Sequence, residues 1–346
     1  MLEAVENSGE TPEWVFCEND RVQLQTANGK TYTVTIQAGK WFNANRVSFR
    51  LDELIGVPEG SVIRSREGRE ILAMRPLLTD HVLSMPRGAA IIYPKDCGQI
   101  VRLADIRPGQ RILEAGVGSG ALTMHLLNAL AGAGELHSYE LREDFAQVAA
   151  ANVRTWFKEQ PSNWHLHLED VAHAGTDLAE QSVNRVLLDM LEPWLHIETC
   201  ARVLQPGGVL VAYVATVPQL SRLCEELRKS ERFMEPQSSE FVQRNWHVQG
   251  LAVRPEHEMI GHTGFLVFTR VLAPGSRPIR IQTRPAKMAE GKGGQWNSVE
   301  TWDEQATGQK VKTRRKIRQV LRDAEGGSRR YVQSDEPSRI RQGGEE

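Results

Sequence analysis

Short runs in which apolar and polar residues alternate fill residues 14–75: RVQLQ, TYTVTIQ, GSVIRS and EILAMRP, separated by turn signals such as ANGK and REG. Alternation with a period of two marks half-buried strands, and the spacing of the turns predicts a small antiparallel barrel or sheet. From about residue 76 the pattern changes. RILEAG (111–116) reads as a buried strand, GALTMHLLNALAG as a helix ended by Gly132, ELHSYEL as a strand and REDFAQVAAANVRTWF as a helix. WHLHLEDV and VNRVLLDML predict two more strands, IETCARVLQPGG a helix with a proline-glycine stop, VLVAYVATV a strand and VPQLSRLCEELRKS a helix. Such alternation implies a parallel sheet covered on both faces. WHVQGLAVRP and GFLVFTRVLAP have no helix between them and predict an antiparallel hairpin at the sheet edge.

The fold class is therefore α/β: a Rossmann-like sheet with an antiparallel closing hairpin, preceded by a small β-rich N-terminal domain. We place that domain at 1–75, the sheet-bearing domain at 76–276 and a tail at 277–346. Large apolar residues are few in the tail, so it is expected to be mostly disordered, with a short helix near GQKVKTRRKIRQVLRDAE. Of the 42 Lys and Arg and 44 Asp and Glu in the chain, the tail holds 16 and 10. An acidic body of net −8 thus carries a basic tail of net +6, which suits local contacts to a polyanion better than a whole-protein field. The four cysteines are widely spaced, without a Cys-x-x-Cys pair, and fit a reduced cytosol. The acidic start MLEAVENSGETPEW lacks the features of a signal peptide, and no apolar run is long enough to span a bilayer. A cytoplasmic protein without membrane association is expected.

LEAGVGSGAL puts Gly116, Gly118 and Gly120 between a strand and a helix, where the turn is tight and a ligand approaches the backbone. Glu140 ends the next strand, placed to accept both hydroxyls of a ribose, and Asp170 ends the one after, placed to accept from an adenine amino group. Ligand-type groups on successive strand ends point to a nucleotide-like cofactor, because that edge of an open α/β sheet is where ligands bind. Ala121 would satisfy the third small position of a nicotinamide-dinucleotide fingerprint, so the glycines alone do not choose the cofactor. The acid Glu114, just before them, together with the antiparallel closing hairpin, favours S-adenosyl-L-methionine, whose methionine end is cationic.

YPKDCGQIV (93–101), LEAGVGSGALT, SYELRED, LLDMLEPW, VAYVATVPQL and IGHTGFLVFTR, in this order, resemble the tRNA adenine-58 N1-methyltransferases of the bacterial and archaeal type, most closely the actinobacterial members. The resemblance runs from about residue 20 to 275, and YPKD with DMLEPW carries more of it than the glycine loop. It implies a class I methyltransferase domain, a homotetramer, and methylation of N1 of an adenine in the T-loop of tRNA. It also implies that Gln99, the loop Gly116, Val117, Gly118, Ser119, Gly120, Ala121 and Leu122, Glu140 and Asp170 hold S-adenosyl-L-methionine. Asp189, beside the methyl donor, is implied as the catalytic aspartate, and Tyr93 and Tyr213 as aromatic residues at the target base. Phe145 departs from the pattern, since some relatives carry a histidine there. The tail beyond about 280 has no counterpart in the family core.

Adenine N1 is already a lone-pair nucleophile, so positioning carries most of the catalysis expected here. The base must leave the tRNA fold and enter a pocket. Asp189 is expected to accept a hydrogen bond from the exocyclic amine and to stabilise the cationic ring that forms. Pro193 and Trp194 shape its loop. His257 and His262 are not spaced as metal ligands, and no metal is expected. The tail could touch phosphates or be a solvated extension. The other readings are a methyltransferase with a different substrate, a non-catalytic RNA-binding relative and, more remotely, a nicotinamide dehydrogenase.

Overall fold

The computed structural model describes residues 14–279, 314–326 and 332–333. Two units are resolved: the described residues through Met85 together with those from Arg322 onward, and Pro86–Leu321.

In the first unit the alternating runs become β1 (Arg21–Thr26), β2 (Thr31–Thr35), β3 (Trp41–Ala44), β4 (Val47–Arg50), β5 (Ser61–Arg64) and β6 (Glu70–Met74). Four of them form an antiparallel sheet in the order β2-β1-β6-β5. The inward residues Val22, Leu24, Val34 and Ile71 join Phe16, Phe42 and Phe49 in one core, the burial expected of a period-two pattern with one face covered. β3 and β4 were not anticipated. Their hairpin turns through Asn45 and Arg46, both at positive φ, and Arg46 is not among the residues that advertise such a turn. A short α1 (Leu78–Ser84) follows β6.

The second unit begins with α2 (Pro94–Leu103), where Pro94 occupies the first helical position and its missing N–H costs nothing. Then come β7 (Arg111–Ala115), α3 (Ala121–Leu130), β8 (Glu135–Tyr139), α4 (Glu143–Phe157), β9 (Trp164–His167), a single-turn α5 (Ala174–Asp177) and β10 (Val183–Asp189). They are followed by α6 (Ile197–Val203), β11 (Leu204–Val214), α7 (Val217–Ser230), β12 (Gln237–Ser239), β13 (Trp246–Gln249), β14 (Ala252–Pro255) and β15 (Phe265–Arg270). Seven strands make one sheet in the order β12-β15-β11-β10-β7-β8-β9. β15 runs antiparallel between β11 and β12, and the strands from β11 to β9 run parallel. Leu113, Val186, Leu188, Leu210 and Ala212 form its buried middle, apolar along their length as strands covered on both faces must be.

One expectation is corrected. WHVQGLAVRP does not pair with the closing strand: it folds on itself about Gly250 as the separate hairpin β13–β14, and the partner of β15 is β12. Gly250 sits at φ 55°, a turn that brings the two halves of the ten-residue run together before either reaches the sheet. The short helix expected in the tail is present, and a strand that was not anticipated follows it. α8 (Arg314–Gly326) is a helix that buries Ile317, and β16 (Val332–Gln333) pairs antiparallel with β3. The rest of the tail lies outside the described residues.

Candidate active site

Most of the groups read as ligand-binding lie at the carboxyl ends of β7, β8, β9, β10 and β11, while Gln99 and Tyr93 come from α2 and the residue before it. Gly116 follows β7 at φ 88°, and a Cβ there would overlap the backbone carbonyl of Asp189 at the end of β10. Gly118 stands at φ 57°, and its N–H donates to Glu140 Oε2 at 3.1 Å. Gly120, at φ 84°, opens α3 with its α-carbon against Ala149 of α4, where a Cβ would approach that backbone to 3.4 Å. Left-handed backbone at all three positions is what forces glycine, and it leaves a cradle of bare backbone beneath the helix N-terminus.

Glu140 is buried, and its other oxygen accepts from the Arg142 N–H at 3.1 Å and from Arg142 Nε at 3.2 Å. Ser119 has turned away from the cradle: its hydroxyl accepts from the backbone N–H groups of Gly88 and Ala89, and Asn152 Nδ2 donates to its carbonyl. Val117, Ala121 and Leu122 are buried, so what they offer a ligand is backbone. Asp170 caps the turn after β9 by accepting from Ala172 N–H through Oδ1 at 2.7 Å, which leaves Oδ2 for another donor. Gln99 lies half-buried on α2 and accepts from Arg102 Nε at 2.8 Å.

Glu114 does something other than face a cationic ligand. It is 0% exposed and accepts from Thr123 Oγ1 at 2.9 and 3.0 Å and from Ser138 Oγ at 2.6 Å, while Trp164 Nε1 donates to the same serine. Burial raises its carboxyl to about 7 against the pull of those hydroxyls. It ties β7 to α3 and β8 from within the core, and the electrostatic preference drawn from it does not hold.

Asp189 is half-buried and in parallel register with Tyr213 on β11, so the two side chains share one end of adjoining strands. Burial, and then the Glu140 carboxylate, raise Asp189 to about 7, with Arg142 opposing. Burial, Asp96 and Asp189 push the Tyr213 hydroxyl up as well, while its hydrogen bond to Thr263 pulls the other way. The ring of Tyr213 lies so close to Gly264 that a Cβ there would overlap it. Tyr93, half-buried, is the residue before Pro94, and its carbonyl accepts the first backbone bonds of α2.

Behind Tyr213 stands a buried knot that sequence reading passed over. Asp96 is 1% exposed. Lys95 Nζ donates to both its oxygens at 2.8 and 3.0 Å, to the Phe241 carbonyl at 2.6 Å and to Thr263 Oγ1 at 2.7 Å, and the threonine donates to Asp96 Oδ2 at 2.6 Å. This ties the YPKD helix start to the GHTGF loop, and Thr263 passes the restraint to Tyr213. The signal available for it was Pro94, which marks a helix start and places Lys95 and Asp96 in the first turn. His262, next to Thr263, has Nε2 2.9 Å from the Ala215 carbonyl and Nδ1 2.6 Å from Glu240 Oε1. Both partners are acceptors, so both ring nitrogens carry hydrogen, and the Ala215 bond and then Glu240 raise its pKa. Among the described residues no group of side chains is arranged to hold a metal ion.

A glycine cradle and acidic strand ends on a seven-stranded sheet with one antiparallel strand define a class I methyltransferase. The family model described as the tRNA methyltransferase complex GCD14 subunit matches residues 70–254, and that of the TrmI-like N-terminal region matches 15–63. The chain is 35% identical over 249 residues to the tRNA (adenine(58)-N(1))-methyltransferase TrmI of Thermus thermophilus, covering 71% of this chain and 95% of that one. It is 30% identical over 236 residues to the tRNA (adenine(57)-N(1)/adenine(58)-N(1))-methyltransferase TrmI of Methanocaldococcus jannaschii, covering 62% and 83%. Among solved structures it is similar to a SAM-dependent O-methyltransferase from Thermotoga maritima (TM-score 0.71, 26% identity, 78% of this chain and 97% of that one). It is also similar to the tRNA (m1A58) methyltransferase TrmI from Aquifex aeolicus (TM-score 0.67, 28% identity, 75% and 99%). The chain belongs to the tRNA adenine-58 N1-methyltransferase family.

Proposed function

We propose that this chain methylates N1 of adenine 58 in the T-loop of tRNA with S-adenosyl-L-methionine, and that Asp189 is its catalytic residue. The observation that carries the assignment of roles is the register of Asp189 with Tyr213, at the strand ends next to the Gly116 cradle.

The cradle fits such a cofactor: bare backbone at Gly116 and Gly118, a buried carboxylate at Glu140 beside it, and Asp170 one strand further on. In this reading Glu140 accepts the ribose hydroxyls, Asp170 an adenine amino group, and Gln99 with the 116–122 backbone holds the remainder. When bound, the cofactor supplies an electrophilic methyl group. Asp189 accepts a hydrogen bond from the exocyclic amine of the target adenine, which turns N1 toward that methyl group. The ring becomes cationic as N1 is alkylated, and the same carboxylate stabilises the charge; removing one such preorganised group commonly costs about 10²–10³ in rate. Tyr213, with its ring against Gly264 and its hydroxyl held by Thr263, offers the base a fixed edge, and Tyr93 offers a second aromatic contact. Stacking of a base on an aromatic side chain contributes roughly 1–3 kcal/mol.

The working protein is proposed to be a cytoplasmic homotetramer. No helix among the described residues is long and apolar enough to cross a membrane. Trp246, Val248, Leu251 and Val253 stand exposed on the β13–β14 hairpin, an apolar surface of the kind that marks a protein interface. The stretches 1–75, 76–276 and 277–346 are proposed as its three working parts.

The test is mass spectrometry of tRNA incubated with the purified protein and labelled S-adenosyl-L-methionine. Label on N1 of adenine 58 is expected. Label on another base, on protein, or on nothing overturns the reading.

A further inference from the structure

Helix α8 lies beyond residue 254, where the family model ends, and it has a distinct apolar side. Ile317 is 4% exposed and packs with Phe145 and Val148 of α4, and Val320, Leu321 and Ala89 close around them. The spacing 317, 320, 321 is that of one helix face. Ala89 is the residue whose N–H donates to Ser119 of the glycine loop, so α8 sits against the support of the cofactor cradle. Phe145 stands where some relatives carry a histidine. Here it is the floor on which the helix rests, with the Arg142 guanidinium 3.6 Å from its ring centre.

The side of α8 turned away from this contact is cationic. Arg315, Lys316, Arg318 and Arg322 are exposed, and the only acid described among them is Asp323. The rest of the chain up to residue 276 has 34 acidic against 26 basic residues, a field that repels a polyanion and makes a local cationic face matter more.

We propose that α8 is a docked grip on the phosphate backbone of the RNA substrate: its apolar stripe anchors it on Phe145 beside the cofactor loop, and Arg315 and Lys316 meet phosphates. The proposal rests on the function proposed above and adds a contact outside the family core. Phosphate contacts of this kind strengthen binding without reading sequence.

The test is the salt dependence of tRNA affinity for the full chain and for two variants. Arg315→Gln with Lys316→Gln removes charge and keeps the stripe. Each lost phosphate contact should flatten the slope of log affinity against log salt by about 0.7–0.9. The weakening should be equal across tRNAs of different sequence, with S-adenosyl-L-methionine affinity unchanged. Ile317→Lys undocks the helix and should reproduce the loss. A wild type that methylates adenine 58 with a slope untouched by the charge variant overturns this proposal alone. A wild type that leaves adenine 58 unmethylated overturns the function and this proposal with it.

Discussion

Gly116 and the backbone carbonyl of Asp189 occupy adjoining space so closely that no side chain fits between them. The glycine turn after β7 and the end of β10 are thus a single packing unit. Gly116→Ala must both adopt φ 88° and push the end of β10 aside. We expect at least tenfold weaker S-adenosyl-L-methionine binding, measured by titration calorimetry, together with lost turnover. Binding within twofold of wild type would show that the cradle is built elsewhere.

Asp189 should act in its ionised form, and burial raises it to about 7. Turnover on tRNA is then expected to rise with pH through about 7, and Asp189→Asn to lose about 10²–10³ in rate while still binding cofactor. The sign for stability is opposite. An acid with a raised folded pKa stabilises the fold below its ordinary value of 3.8 and loses that contribution as pH rises through about 7. Asp189→Asn should therefore melt at a higher temperature than wild type at pH 8. A lower melting temperature there would contradict the desolvation account.

Lys95 is the cation that pairs the 1%-exposed Asp96. Lys95→Met leaves that carboxylate buried without its counter-ion, and breaking a buried pair in this way costs about 3–5 kcal/mol. Thr263→Val is milder: the fold should survive in denaturant melts, while tRNA turnover falls because the Tyr213 hydroxyl loses its hydrogen bond. Unchanged kinetics in a folded Thr263→Val protein would remove Thr263 from the positioning of Tyr213.

His137 and His167 lie 3.3 Å apart through their ring nitrogens on β8 and β9, with the ring of His165 stacked 4.8 Å from that of His137. Burial is the first cause that lowers both pKa values. A histidine so depressed stabilises the fold above its ordinary value of 6.5, and the contribution is lost as pH falls below it. Glu114 and Asp189 shift stability the other way over the same range, so the comparison is with His137→Asn. The wild type should lose more melting temperature than this variant between pH 7.5 and 5. Parallel curves would mean that the imidazoles carry no linkage.

Leu251 and Val248 stand on the exposed hairpin that the ten-residue run makes with itself. Leu251→Lys with Val248→Lys should reduce the mass in light scattering below that of the wild-type assembly, with the secondary structure unchanged. An unaltered mass would place the interface elsewhere.

Reading the chain alone went furthest where chemistry depends on neighbours in sequence. The tight turn at Gly116, Gly118 and Gly120 could be read because a strand and a helix flank it within a few residues, and the strand end at Asp189 because an acid closes an apolar run. The parallel run of strands in the large sheet followed from the helices between them, while their order came from the tertiary structure. Where residues were misread, the deciding contact was distant. Lys95 and Asp96 meet Thr263 across 167 residues between Asp96 and Thr263, Glu114 turns to Ser138 and Thr123, and β15 takes β12 for its partner. Phe145 departs from the family's pattern in sequence, and its reason is Ile317, which rests on it from far along the chain.

The sequence by itself determined the alternation of elements, the glycine turn and the acids at strand ends, because backbone sterics and apolar periodicity act over a few residues. Only the tertiary structure decided which acids stand at the carboxyl edge of the sheet and which are tied into the core. A carboxylate's environment is set by burial and hydrogen-bond partners brought from other elements: Glu114 and Asp189, both raised to about 7, differ in that hydroxyls enclose the first while the second stands beside Tyr213 at the carboxyl edge of the sheet.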